Sequence, residues 1–467
     1  MKKLVSLRLA MCLFIFGALA APAYAADYAP EVSKRLDAAL KYFDDGQYSS
    51  AKSEYIAALR LEPKCPEAYN GLGLCAGREG RLADSEEHYL SALRLDPKYF
   101  YALYNLANVC YLEGASAQAQ DIQVKKYNDA ISFYLRATRV LKEKHKEPGA
   151  DILTSLATVY RDKAKALAGL AKDEESKRAI KTYSDAIKAD PKYPNAHAEL
   201  GRLLLDRKEY VLAEKELRRA VTLKPDYSYP YYCLGRLYQE KREYPAALLA
   251  FHNSLKCEKR EDYKQETMEC MVQMGIPKQA VDHFAQGYED LNCGRWDDAI
   301  SEFDAASSAA PSCKMVALNN LGYAQYRAGN SELALETFKN AIAADSQPLP
   351  ELFYNQGQIY LQKKDLAEAE KCFRSCLKAA RGNSYLAHNA LGVILKNKGE
   401  LEKALDEYTM AVLQSGGSVS VVEFNRAVVL EKLGRKAEAA DSYKKYLQAS
   451  PSGVNADLAR KRVAELH

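Results

Sequence analysis

The chain has little of what catalysis requires. Its seven histidines (His88, His145, His197, His252, His283, His388 and His467) are scattered, and no His-Glu-x-x-His occurs, which removes the helical zinc-protease pattern. No Gly-x-x-x-x-Gly-Lys occurs either, so there is no loop of the kind that cradles phosphates. No two of the 11 cysteines stand three residues apart. Zinc ribbons and dithiol redox motifs both need that spacing. Acidic pairs such as Asp297-Asp298 and Glu86-Glu87 fall at exposed helical phases and read as solvated surface. No catalytic residue, metal ligand or cofactor is expected. A dominant charge is missing too. Residues 1–25 carry three basic side chains and no acid, leaving 63 basic against 62 acidic residues in the remainder. That balance argues against nucleic acid as a partner. Tryptophan is reduced to Trp296, against 33 tyrosines. Tyrosine packs its ring while its hydroxyl reaches water, which suits thin two-layer helical folds.

What is present is ample apolar material, 48% of 467 residues, too long a chain for one ordinary core. Its first 25 residues read as a targeting segment. Lys2, Lys3 and Arg8 form a basic start, Met11 to Ala21 is an apolar run, and Ala23-Tyr24-Ala25 is a small-x-small site with cleavage after Ala25. The run is short for a spanning helix. Export to the periplasm or cell envelope of a bacterium follows as an expectation, with the protein peripheral to envelope membranes at most.

The most informative stretch is residues 66–99. Tyr69, Leu72, Gly73 and Ala76 share one face of a helix, which Glu79-Gly80 stops. Leu82, Ser85, Tyr89 and Ala92 share one face of a second helix, ended by Pro97. Gly73, Ser85 and Ala92 are small, so the two axes can approach closely, and Tyr89 fills the space beside them.

This pattern recurs. Pro63 to Pro97 and Pro191 to Pro225 both span 34 residues. Leu-Gly pairs stand at 72–73, 200–201, 234–235, 321–322 and 391–392, and Gly287 and Gly357 keep the glycine alone. An alanine followed four residues later by an aromatic occurs in register as Ala51/Tyr55, Ala130/Tyr134, Ala179/Tyr183, Ala247/Phe251, Ala299/Phe303, Ala334/Phe338, Ala369/Phe373, Ala404/Tyr408 and Ala439/Tyr443. Period-34 helix pairs with these signatures resemble the tetratricopeptide repeat family. The resemblance runs from about Val32 to Gly453, in about eleven units. It implies an all-α fold, a right-handed α-solenoid of stacked antiparallel helix pairs.

The expected organisation is a leader at 1–25, an N-terminal array at 26–261, a connecting helix at 262–279, a C-terminal array at 280–453 and a capping helix at 454–467. Two units carry insertions, between Cys110 and Tyr127 and between Tyr160 and Ala179. Both inserts are rich in Ala and charge, so they read as longer helices. Cys75, Cys110, Cys233 and Cys376 fall at packing positions and read as buried thiols, while Cys372 and Cys376, four apart on one helix, could face each other. His197, His283 and His388 fall where the repeat often places Trp, and read as packing residues.

In the family's superhelix the first helix of each unit lines a concave groove, its fifth, sixth and ninth positions pointing inward. Carried over, the resemblance places Asn70, Asn105, Asn108, Asn319, Asn320, Tyr323, Tyr354, Asn355, Asn389 and Asn425 on that surface. Asn offers both a donor and an acceptor, so it can pair with a peptide backbone irrespective of sequence. The pattern is similar to the asparagine ladder of the repeat superhelix in protein O-GlcNAc transferases, whose catalytic domain is absent here. Asn could instead simply bridge neighbouring helices. Two function classes follow: a non-enzymatic exported scaffold that binds a protein or extended peptide in the groove, in envelope assembly or secretion, or an accessory glycan-contacting subunit of a polysaccharide synthesis or export system.

Overall fold

The computed structural model describes residues 28–257, 263–344, 346–415 and 419–466. The leader and its expected cleavage site at Ala25 lie outside them. The chain divides into two compact units meeting at Lys208 and Glu209. The expected break at 262–279 therefore falls inside the second unit.

The first unit comprises α1 (Pro30–Asp44), α2 (Tyr48–Leu61), α3 (Pro66–Arg78), α4 (Leu82–Leu95), α5 (Phe100–Ser116), α6 (Gln120–Glu143), α7 (Ala150–Lys165), α8 (Gly169–Ala189) and α9 (Pro194–Asp206). The second comprises α10 (Tyr210–Leu223), α11 (Ser228–Glu240), α12 (Tyr244–Cys257), α13 (Lys264–Gln273), α14 (Lys278–Cys293), α15 (Trp296–Ala309), α16 (Lys314–Arg327), α17 (Ser331–Ala343), α18 (Pro350–Gln362), α19 (Leu366–Ala379), α20 (Tyr385–Asn397), α21 (Leu401–Ser415), α22 (Ser420–Lys432), α23 (Lys436–Ala449) and α24 (Ala456–Glu465). All regular structure among the described residues is helical, and within each unit consecutive helices pack on one another as stacked pairs. The fold is an α-solenoid.

Why pairs form is visible at α3 and α4. Gly73 faces the Tyr89 ring so closely that a Cβ would sit 2.5 Å from Tyr89 Cε1. The Ser85 hydroxyl donates to the Gly73 carbonyl at 2.8 Å, which locks the crossing point. Gly80 turns the chain with φ of +78°, a conformation that costs glycine nothing. The same glycine-to-aromatic approach, sixteen residues on, recurs at Gly235/Phe251, Gly287/Phe303, Gly322/Phe338, Gly357/Phe373 and Gly392/Tyr408. All nine Ala/aromatic pairs of the second helices are buried at 2% exposure or less. Each ring contributes roughly 1.5–3 kcal/mol by leaving water, and no single pair could bury its ring on both sides, so neighbours must stack.

The insertions lengthen helices, as their composition predicts. In the third pair α6 reaches 24 residues, and in the fourth α8 reaches 21. The helix expected between Tyr263 and Met274 is α13. It carries no partner helix of its own and packs between α12 and α14, with Met271 fully buried. Tyr263 at its head stacks on Tyr229 and Tyr232 of α11, ring centroids 4.9 Å and 5.7 Å apart. At the C-terminal end α24 packs on α23, with Val463 and Leu466 against Phe424 and Tyr446.

Candidate functional site

The first helix of each pair carries the residues in question, and the structure sorts them into two groups. Asn70, Asn105, Asn108 and Asn320 are buried at 7% exposure or less. Each spends its amide inside the stack. Asn105 Nδ2 donates to Asn70 Oδ1 at 3.0 Å, the Tyr134 hydroxyl donates to Asn108 Oδ1, and Asn320 Nδ2 donates to the Tyr288 hydroxyl at 2.7 Å. These four hold neighbouring helices together.

Asn319, Asn355, Asn389 and Asn425 are half-buried. They also bridge. Asn355 Nδ2 donates to Asn319 Oδ1 at 3.0 Å, and Asn425 Nδ2 donates to Asn389 Oδ1 at 3.1 Å. Each bond joins the fifth position of one unit to the sixth position of the next, an interval of 36 residues; Asn70 and Asn105 do the same at 35. That interval, slightly longer than the repeat, is the sequence signal that identifies these bridges. An Asn amide has two donors and two acceptor lone pairs, so one bond leaves most of each group's capacity unused. All four residues stay partly open to solvent.

Of their helices, α16 touches α18 and α20 touches α22. Steps of three or four, then seven, residues from each asparagine stay on the same helix face. The surface therefore has three rows. Asn319, Asn355, Asn389 and Asn425 form one. Tyr323, Gln358, Val393 and Val428 form the middle one, all half-buried. Tyr326, Gln362, Lys396 and Lys432 form the third.

Tyr323 and Tyr354 differ in what covers them. The Lys256 ammonium lies 5.5 Å from the Tyr323 ring centroid although α12 and α16 belong to pairs two steps apart, so this part of the second unit curves inward. Arg327 donates to the Tyr323 hydroxyl at 2.9 Å and stacks over Trp296 at 4.4 Å. Tyr354 packs its ring on Phe373, centroids 5.6 Å apart. Glu351, exposed as a residue, has its carboxyl raised by local desolvation, with Lys256 acting in the opposite direction. Burial also pushes the Tyr231 phenol up, and Tyr385 and Glu351 are near enough to add to it.

Elsewhere the polar chemistry is internal. In the first unit Arg161 binds Asp162, with Nε 3.0 Å from Oδ1, and also Glu199, while the Tyr111 hydroxyl donates to Asp162 Oδ2 at 2.8 Å. Burial would raise the Asp162 carboxyl, but Arg161, Lys165 and Tyr111 together hold it far below the ordinary carboxylate range. Glu86, Cys110 and Glu113 come together with spacing that could suit a metal, but the Lys126 ammonium lies between the two carboxylates, 3.3 Å from Glu86 and 2.5 Å from Glu113. A cleft of about 600 Å³ between α11 and α13 is lined by Arg236, Arg242, Glu266, Glu269 and Cys270 among others. Burial raises the Cys270 thiol there, the opposite of what a nucleophile needs.

Two histidines expected to fill packing positions do more. His283 Nδ1 lies 2.7 Å from Glu302, and His388 Nδ1 lies 2.6 Å from Glu407 with Nε2 3.1 Å from the Gly382 carbonyl. Both clasp the two helices of a pair across 19 residues. Cys372 and Cys376 are buried thiols with separate neighbours, Gln356 Oε1 and Ser384 Oγ, each 3.9 Å away.

The tetratricopeptide repeat profile matches residues 36–100, 77–139, 164–228, 284–347, 319–384, 354–418 and 423–454. No curated protein matches the chain by whole-sequence comparison. Solved structures with a similar course include yeast Tom70, at 15% identity over 93% of this chain and 95% of that one with a TM-score of 0.39. Others are Pseudomonas aeruginosa pilF, at 17% identity over 51% and 97% with a TM-score of 0.40, and YrrB, a tetratricopeptide repeat protein described as having an unusual peptide-binding site, at 17% over 47% and 97% with a TM-score of 0.33. With the profile matched over well more than half its length, the chain belongs to the tetratricopeptide repeat family.

Proposed function

We propose that this protein is a non-enzymatic scaffold that holds an extended segment of a protein partner on the face built by α16, α18, α20 and α22. The observation that carries this reading is the row of half-exposed asparagines. Each bridge fixes two amides in orientation beforehand, so less entropy is lost when a ligand main chain adds its own hydrogen bonds. Each such bond is worth roughly 0.5–1.5 kcal/mol net, enough for moderate affinity when several act together. Asn320 and the asparagines of the first unit act in stability instead.

Glycan contact on this face would need open tyrosine rings. Tyr323 has two cations against it and Tyr354 packs on Phe373, which weighs toward a peptide. The basic start, apolar run and Ala23-Tyr24-Ala25 of the leader support export and action in a bacterial envelope.

The test is site-specific photo-crosslinking in the native host, with a benzophenone amino acid at Val393 or, as control, at Leu333. Expected are discrete protein adducts from position 393 that disappear when Asn355 and Asn425 are both changed to Ala. Adducts that persist in that variant, or equal labelling from Leu333, would refute the reading. N-terminal sequencing of the mature protein should begin at Ala26.

A further inference from the structure

The third row of the same face ends in two cations that lack a counter-charge. Lys396 in the last turns of α20 and Lys432 in the last turn of α22 are separated by the same 36 residues as the bonded Asn389 and Asn425. That bond sets the register of the two helices, so the lysines lie side by side. Several cations of this region are paired: Lys363 with Glu332, Lys398 with Glu370, Arg374 with Glu370 and Arg462 with Glu431. Among the described residues no Asp or Glu pairs with Lys396 or Lys432. Burial and the Lys432 charge hold the Lys396 ammonium below its ordinary value. An anion between the two would remove that repulsion.

The geometry points to an acidic extended peptide as the occupant of this face, its main chain along the asparagine row and an Asp or Glu side chain between Lys396 and Lys432. This rests on the peptide-binding reading above and specifies its partner. The asparagine and lysine rows are two helical turns apart, about 10.5 Å, too far for one main chain to touch both. That gap lies within the joint reach of a Glu and a Lys side chain. Adjacent first helices stand roughly 8–10 Å apart, about three residues of extended chain. Because the main chain stays on the asparagine row, two turns from the lysines, the carboxylate that meets them belongs to a side chain and not to a chain end. Val393 and Val428, between the rows, accept an apolar neighbour.

The test uses the purified full chain and a positional-scanning library of acetylated, amidated nonapeptides, whose blocked ends leave only side-chain charge. Fluorescence anisotropy should show selection for Asp or Glu. The best binder should lose about tenfold or more in affinity when its acid becomes Gln, and equally in Lys396→Gln/Lys432→Gln, a variant whose thermal midpoint stays at wild type. Lys396→Glu/Lys432→Glu should turn the preference toward Lys and Arg, a reversal that a mere helix-end role for these lysines would not produce. Binding without acidic selection, selection that survives the double Gln variant, or binding only by peptides with a free C-terminus would overturn the proposal and leave the groove reading standing. A library with no binder at all would overturn both.

Discussion

Asn320 Nδ2 lies 2.7 Å from the Tyr288 hydroxyl, inside the stack and across the boundary between two successive pairs. Asn425 makes a bond of similar kind to Asn389 at the surface. One residue type at the same position of two repeats thus takes opposite roles. Asn320→Ala should destabilise the protein by about 1–3 kcal/mol, since it leaves a buried hydroxyl without its donor. Asn425→Ala should cost about 1 kcal/mol or less, because water replaces the lost amide, and its effect should appear in partner binding instead. Urea unfolding of the two variants separates them, and equal losses would contradict the division.

Gly357 approaches Phe373 much as Gly73 approaches Tyr89: a Cβ there would sit 2.7 Å from Phe373 Cε1, against 2.5 Å for Gly73 and Tyr89 Cε1. Gly357→Ala should therefore cost about 1–3 kcal/mol through overpacking, although alanine is the better helix former. Adding Phe373→Leu should recover part of that loss. A Gly357→Ala protein as stable as wild type would show that the two helices are free to separate.

Tyr408 stands where other pairs use Phe303, Phe338 and Phe373, and its hydroxyl is buried with no hydrogen-bond partner among the described residues. Burial pushes the phenol up. Tyr408→Phe removes an unsatisfied polar atom and should stabilise by about 1 kcal/mol. Tyr183 offers the contrast. Its hydroxyl lies 2.9 Å from Thr158 Oγ1, so Tyr183→Phe should destabilise. Thermal melts of the two variants should move in opposite directions.

His252 is 1% exposed, its ring 4.1 Å from the Phe284 ring and its Nδ1 3.3 Å from the Tyr288 hydroxyl. Burial pushes the imidazole down from 6.5 to about 3. The unfolded chain takes up a proton near pH 6.5 that the folded chain refuses until about pH 3. The neutral ring therefore contributes stability in full above pH 6.5 and loses it as pH falls from 6.5 toward 3. His388 works the other way. Its bond to Glu407 raises it, so its contribution is full below pH 6.5 and fades as pH rises through the raised value. Urea midpoints should fall between pH 6.5 and 5 by the equivalent of about 2 kcal/mol from His252 alone. His252→Phe should remove that slope, and a slope unchanged in the variant would exclude His252 as its source.

Much of the architecture was legible in residue order. Gly73 and Tyr89, or Gly322 and Phe338, announce a close helix crossing because a missing side chain and a large ring sixteen residues on complement each other within one hairpin. The nine Ala/aromatic pairs are local in the same sense. The interaction face was legible only in part. The asparagines were recognisable, but half-buried Asn425 could not be told from buried Asn320 by type or phase, and the Glu partners of His283 and His388 were not anticipated.

Sequence by itself determined the helices, their pairing and the residues that fill each hairpin, because those contacts lie within a few turns along the chain and repeat with a period that can be counted. Tertiary structure alone decided which asparagines stay partly open to solvent, which residues cover Tyr323, and that Lys396 lies near Lys432 with no acid paired to either among the described residues. Those outcomes depend on the small rotation from one pair to the next, which is set by packing summed over whole interfaces and leaves no mark on any single residue.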